Sequence, residues 1–300
     1  VDERLQVARL SVASNTVLVI GKVAIGWLIG SVSVISEGIH SGLDLMAALI
    51  AYFSVREASK PADESHHFGH GKIENVAGTI EALLIFIAAL WIIWEAVHKL
   101  QVGGEAPEVS WGAVIMALSA GVNYFVSSRL MTVAKKTESV ALEADAMHLR
   151  TDVYTSLGVL GGLLLLKVTG WWLVDPLVAI GVALLIMKAS WDLLHQAFLP
   201  LLDSRLPEEE EEQIQERIER HAAKYVNVHE VRTRRSGAER HIDMHMVFCK
   251  RQSVEETHEI SDTVEKDIQE LYPKSSILIH QEPCNERCGE CKLGNNRGNR

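Results

Sequence analysis

Hydrophobic positions are spread unevenly along this chain. Up to about residue 198 they gather into long apolar stretches, and past Pro207 they thin into short amphipathic runs among many charges. A helical bilayer crossing takes about 20 mostly apolar residues. Six segments reach that length, at 9–30, 33–55, 76–98, 111–133, 141–167 and 172–198. The third and sixth are strongly apolar. The second and fifth carry ionisable residues in their middles, so their assignment leans on their neighbours.

Beyond Pro207 the period changes. Residues 208–223 (EEEEEQIQERIERHAA) read as a charged amphipathic helix whose acidic start suits the helix dipole. NVHEVRTRRSG and RHIDMHMVFC alternate as strands around Ser236-Gly237-Ala238-Glu239, a hairpin signal. SVEETHEISDTVEKDIQELYP reads as a second amphipathic helix and SSILIHQEP as a last strand. The order αββαβ predicts helices on one face of a small sheet. The expected fold is therefore an α-helical membrane protein. It has a six-helix transmembrane domain over 1–205, a small α/β domain over 206–283 and a flexible Cys-containing tail over 284–300.

Charge orients the bundle. With both termini inside, the inner loops carry Arg4, Arg9, Arg56, Lys60, Lys72, Arg129, Lys135 and Lys136, and the outer loops carry Lys99 and Lys167. That bias is the positive-inside pattern, and Trp27, Trp91, Trp94, Trp111, Trp171 and Trp172 fall near the outer interface. The α/β domain is then cytoplasmic. The net charge of −10, with its acidic run Glu208 to Glu212, argues against a nucleic-acid partner. The opening VDERLQVARL is polar and the apolar stretch behind it is too long for a cleavable signal. Cys249 stands alone while Cys284, Cys288 and Cys291 cluster, which is no secreted disulfide framework and fits a reduced compartment.

The chemistry sits where the apolar stretches are broken. His40 and Asp44 lie four residues apart in SVISEGIHSGLDLMAALIAYF, and His148 and Asp152 repeat the spacing in LEADAMHLRTDVYTSLGVLGGLLLL. A four-residue step places two side chains on one helix face. An ionisable group at membrane depth costs about 2.5–3.5 kcal/mol on insertion scales, so two copies of one spacing are hard to attribute to packing. Together they would offer two imidazoles and two carboxylates, the donors of a tetrahedral zinc-type site. Glu37 and Asp145, one turn before each pair, either orient an imidazole or line a water-filled cavity.

Two further groups are weaker. Asp63, His66 and His70 in KPADESHHFGHGKIE can close on one cation from a flexible loop around Gly69 and Gly71, or can be solvated, with His67 a spare. His229, His245, His258 and His280, with Glu282, are scattered over strands and a helix, and spacing alone leaves them open between surface residues and a site. CxxxCxxC at Cys284–Cys291 supplies three thiols, too few for a closed all-cysteine site.

The two HxxxD pairs, the loop signature from Lys60 to Glu74 and the C-terminal IHQEP together resemble the cation diffusion facilitator family, most closely its bacterial zinc and ferrous-iron efflux members, over roughly residues 5–283. The resemblance implies a homodimer of six-span protomers with ferredoxin-like cytoplasmic domains in the bacterial inner membrane, exchanging metal for protons by alternating access. It implies a transport site at His40, Asp44, His148 and Asp152 and a loop site at Asp63, His66 and His70. It also implies a cytoplasmic cluster at His229, His245, His258 and His280, and an ion pair between Lys72 and Asp203. The chain departs from its close relatives in having His40 where they have aspartate, and Glu282 where they have aspartate. Zn²⁺ is the expected transported and regulatory ion, with Fe²⁺, Co²⁺ and Cd²⁺ as competing substrates. A membrane metalloenzyme is the rival class. A catalytic zinc keeps an open position, whereas this quartet is full and no nucleophile or base motif accompanies it. A dimeric scaffold that has lost transport is a third reading, against which the intact pairs argue.

Overall fold

The computed structural model describes residues 2–29, 32–102, 111–169 and 173–285. The chain forms two compact units, Val1–Leu199 and Pro200–Arg300.

The first unit is six long helices: α1 (Glu3–Ile29), α2 (Val32–Ala58), α3 (Lys72–Val102), α4 (Trp111–Thr137), α5 (Val140–Thr169) and α6 (Val174–Phe198). Each falls on an expected span, and several run past it because polar ends such as Lys72 and Glu74 remain helical. Helix α1 packs on α2, α3 on α6 and α4 on α5, with α2 and α3 also meeting α5. Small residues make those approaches close. A Cβ on Gly78 of α3 would meet Val140 Cγ1 at 2.8 Å, and one on Gly38 of α2 would meet Val23 Cγ2 at 2.7 Å. Helices in lipid, lacking a hydrophobic drive to associate, rely on such packing.

The unit is inverted relative to a water-soluble protein. Val17, Leu28, Trp91, Trp94, Leu118 and Leu185 are exposed, while Ser11, Asn15, Lys22, Asp44, Glu81, Asn123 and Asp145 are buried. Among the described residues three helical stretches are long and apolar enough to cross a membrane, Glu3–Leu28, Lys72–Gln101 and Pro176–Leu202. Six such stretches are expected, and α2, α4 and α5 each lie partly outside the residues whose side chains are described.

The second unit follows a 3-10 turn at Leu199–Leu202. It comprises α7 (Glu208–Glu219), β1 (Asn227–Ser236), β2 (Glu239–Phe248), α8 (Val254–Leu271) and β3 (Ser275–Pro283), in the expected order αββαβ. The sheet order is β1-β2-β3, antiparallel then parallel. Gly237, at φ +59, makes the hairpin turn. Ser253 caps α8 in a reciprocal capping box with Glu256. Alternation along β2 sends Ile242, Met244, Met246 and Phe248 to one face. There they form a core with Ile214 and Ile218 of α7 and Val264 and Ile268 of α8. The other face of the sheet carries His245.

Candidate metal centres

Helices α2 and α5 build the first centre. Asp44 comes from α2, buried at 5% exposure, and His148 and Asp152 come from α5 one turn apart. One ligand atom from each of the three can be chosen so that all lie within 4.8 Å of one another. His148 Nε2 stands 3.3 Å from Asp44 Oδ1. Asn123 of α4 donates its Nδ2 hydrogen to Asp152 Oδ2 at 3.4 Å. Nothing in the motif pointed to Asn123; an amide in the middle of a membrane-length helix is the signal that would have found it. His40 lies in α2 one turn before Asp44, but its side chain, like that of Glu37, is outside the described residues. Asp145 does not orient the His148 ring, because neither of its carboxylate oxygens has a hydrogen-bond partner.

The loop between α2 and α3 builds the second. Asp63 Oδ1 accepts from the backbone N–H groups of Ser65 and His66 at 2.8 and 2.7 Å. Those donors, His66 first, hold the carboxyl below its ordinary range. Gly69, at φ +74, turns the chain back. His70 Nε2 then stands 3.3 Å from Asp63 Oδ2, and the His66 and His70 rings are 4.5 Å apart. Asp63, His66 and His70 thus gather as one group, with His67 exposed beside them.

Strand register builds the third. His229 of β1 pairs with His245 of β2, which pairs with His280 of β3, so three histidines form one row across the sheet. Glu282, two residues past His280 and so on the same face, lies 2.9 Å from His245 Nδ1 through Oε1 and 3.5 Å from His229 Nε2 through Oε2. His229, His245 and Glu282 gather within ligand distance of one another. His280 flanks them, its ring 4.8 Å from that of His245 and its Nε2 3.9 Å from Glu282. His258 is not in the row. It is exposed on α8, one turn before Asp262.

Cys249 and Cys284 are buried free thiols packed in one small cluster at the ends of β2 and β3. Cys288 and Cys291 lie outside the described residues.

The donor sets are nitrogen and oxygen throughout, with carboxylates to offset the charge of a divalent ion, which suits a borderline cation of the zinc type. Comparison with known proteins gives the family. Residues 8–202 match the cation efflux transmembrane domain, and residues 206–284 match the cation efflux protein cytoplasmic domain. An uncharacterised transporter of Synechocystis is 32% identical over 254 residues, covering 85% of this chain and 82% of its own. The cation-efflux pump FieF of Escherichia coli is 30% identical over 287 residues, covering 94% and 92%, and that of Salmonella choleraesuis is 31% identical over 283, with the same coverage. A solved structure of CzrB in its zinc form is 32% identical with a TM-score of 0.27. It covers 28% of this chain and 97% of that one, too partial a likeness to bear on the fold. The chain belongs to the cation diffusion facilitator family, in its bacterial cation-efflux subgroup, and is a secondary active cation transporter, not an enzyme.

Proposed function

We propose that the protein exports Zn²⁺ by metal-for-proton exchange, as a homodimer whose protomers each cross the inner membrane six times with both termini cytoplasmic. The observation that carries this reading is the convergence of Asp44, His148 and Asp152 from two helices of a unit whose outer surface is apolar. His40, one turn from Asp44, is the fourth ligand of a tetrahedral shell. Two carboxylates carry the charge that a divalent ion cancels. When the ion leaves, protons restore the balance, because the same groups bind metal only in their deprotonated forms. Asn123 fixes one Asp152 oxygen. Orienting the ligand is the usual job of a partner behind it.

His229, His245, His280 and Glu282 bind regulatory Zn²⁺ and report its level to the dimer. His258 is a contributor that the single chain does not bring to the row. Asp63, His66 and His70 form a capture site on the loop at the cytoplasmic entrance. Fe²⁺, Co²⁺ and Cd²⁺ compete with Zn²⁺ as cargo. The test is flux into proteoliposomes under a pH gradient, with each ion supplied singly. Zn²⁺ uptake that rises with the gradient and collapses with a protonophore is the expected result, and gradient-independent flux would remove the proton from the cycle.

A further inference from the structure

Two buried glutamates on α3, two turns apart, are treated in opposite ways. Glu74 accepts from Arg4 Nη1 at 3.1 Å and from the Ser139 hydroxyl. Glu81 is 0% exposed and neither of its carboxylate oxygens has a hydrogen-bond partner. Asp145 on α5 is in the same condition, also 0% exposed. The helices meet here: Ala82 and Ala144, the chain neighbours of these two acids, belong to one packed cluster. Glu81 and Asp145 are near enough to repel one another electrostatically. On α1, Ser11 faces Asp145 without a hydrogen bond of ordinary geometry. Its hydroxyl and both amide atoms of Asn15, one turn on, also lack partners.

A structural acid in this bundle is given an arginine and a serine, whereas the only cationic group acting on these two among the described residues is the His148 imidazole of the neighbouring centre. Burying an ion uncompensated costs several kcal/mol, roughly, even after relaxation, so the pair takes up either protons or a mobile cation. One divalent cation offsets both carboxylates. The donors on offer are four carboxylate oxygens, a hydroxyl and an amide oxygen, all hard. The contacts among Arg4, Glu74 and Ser139 bring the starts of α1, α3 and α5 to one end of the bundle. Ser11, Glu81 and Asp145 all lie within roughly the first three turns from that end. Asp145 is one turn before His148 on α5.

We propose that Glu81 and Asp145, with Ser11 and Asn15, form an oxygen-only waypoint that holds the divalent cargo before it reaches Asp44, His148 and Asp152. The proposal rests on the transport reading. An all-oxygen set holds zinc more loosely than a set with imidazole, so transfer one turn along α5 runs toward the better ligands.

The test uses the full-length protein in detergent and in proteoliposomes, with Glu81→Gln, Asp145→Asn and Glu81→Asp, each checked for helicity and size. Equilibrium dialysis with Mn²⁺, a hard ion, is expected to count one fewer ion per chain in Glu81→Gln and in Asp145→Asn, and the wild-type number in Glu81→Asp. Zn²⁺ flux should show a KM raised about tenfold, the low end of what loss of a metal's supporting partner costs, with turnover less affected. An unchanged Mn²⁺ count in either folded amide variant overturns the waypoint. So does a count that is unchanged while the pH profile of flux shifts, which would assign the pair to protons. If the wild type carries no Zn²⁺, the transport reading fails, and the Mn²⁺ count still decides whether the site exists. Should Glu81→Gln not fold, Asp145→Asn decides.

Discussion

Asp152 is the residue on which the transport reading bears hardest. It would supply a negative charge as well as a donor atom, and Asn123 Nδ2 donates to its Oδ2 at 3.4 Å. Asp152→Ala is expected to abolish Zn²⁺ flux in proteoliposomes while the protein remains helical, and normal flux in the folded variant would refute the site. Selectivity is the prediction that falls on His40. A nitrogen on a helix fixes the donor more narrowly than a carboxylate does, and Cd²⁺ is larger and softer than Zn²⁺. The wild type should therefore prefer Zn²⁺, and His40→Asp should relax the preference toward Cd²⁺. Paired Zn²⁺ and Cd²⁺ flux on both proteins measures this, and an unchanged ratio would take the role from His40.

Among the elements, the joint between α7 and α8 offers a clean electrostatic test away from the metal. Arg217 of α7 and His221, two residues past its end, both reach Asp267 of α8, at 2.5 and 3.1 Å. Burial pushes the Asp267 carboxyl up, but hydrogen bonds from Arg217 and His221 outweigh it and hold the group below its usual range. A depressed carboxyl gives stability that is present above its unfolded pKa and is lost as pH falls through its folded value. Asp267→Asn should thus destabilise the 206–283 domain by about 1–3 kcal/mol at neutral pH, with the difference shrinking under acid. Urea melts at the two pH values read it, and a difference that grows in acid would contradict the assignment. The same elements show why boundaries were legible. The capping box at Ser253 and the turn at Gly237 are local chemistry, written within four residues.

At the scale of the whole molecule, each of the two units holds its own candidate metal groups, and their independence can be tested. Replacing His245 and His280 together by Ala in the 206–283 domain should lower its zinc stoichiometry, read by equilibrium dialysis. The same pair in the full chain should leave transport measurable. An unchanged stoichiometry would remove the row of histidines as a binding site, and lost transport would show that it conducts as well as regulates.

The sequence by itself determined the number and rough limits of the helices, the order αββαβ and the candidate pairs His40/Asp44 and His148/Asp152, because helical period and apolar length are properties of neighbours along the chain. It also marked Asp63, His66 and His70, which lie within eight residues and need one loop to meet. Spacing left His229, His245, His258, His280 and Glu282 undecided, and only the family resemblance grouped the four histidines. The register of three strands puts His229, His245 and His280 in one row, with Glu282 beside them and His258 apart. The sequence passed over Asn123 and Glu81, single polar residues without a motif. Whether a lone acid in an apolar helix meets an arginine, as Glu74 does, or is left bare, as Glu81 is, depends on which helices close around it. Burial and partnership are made between segments distant in the chain, and those only the tertiary structure decided.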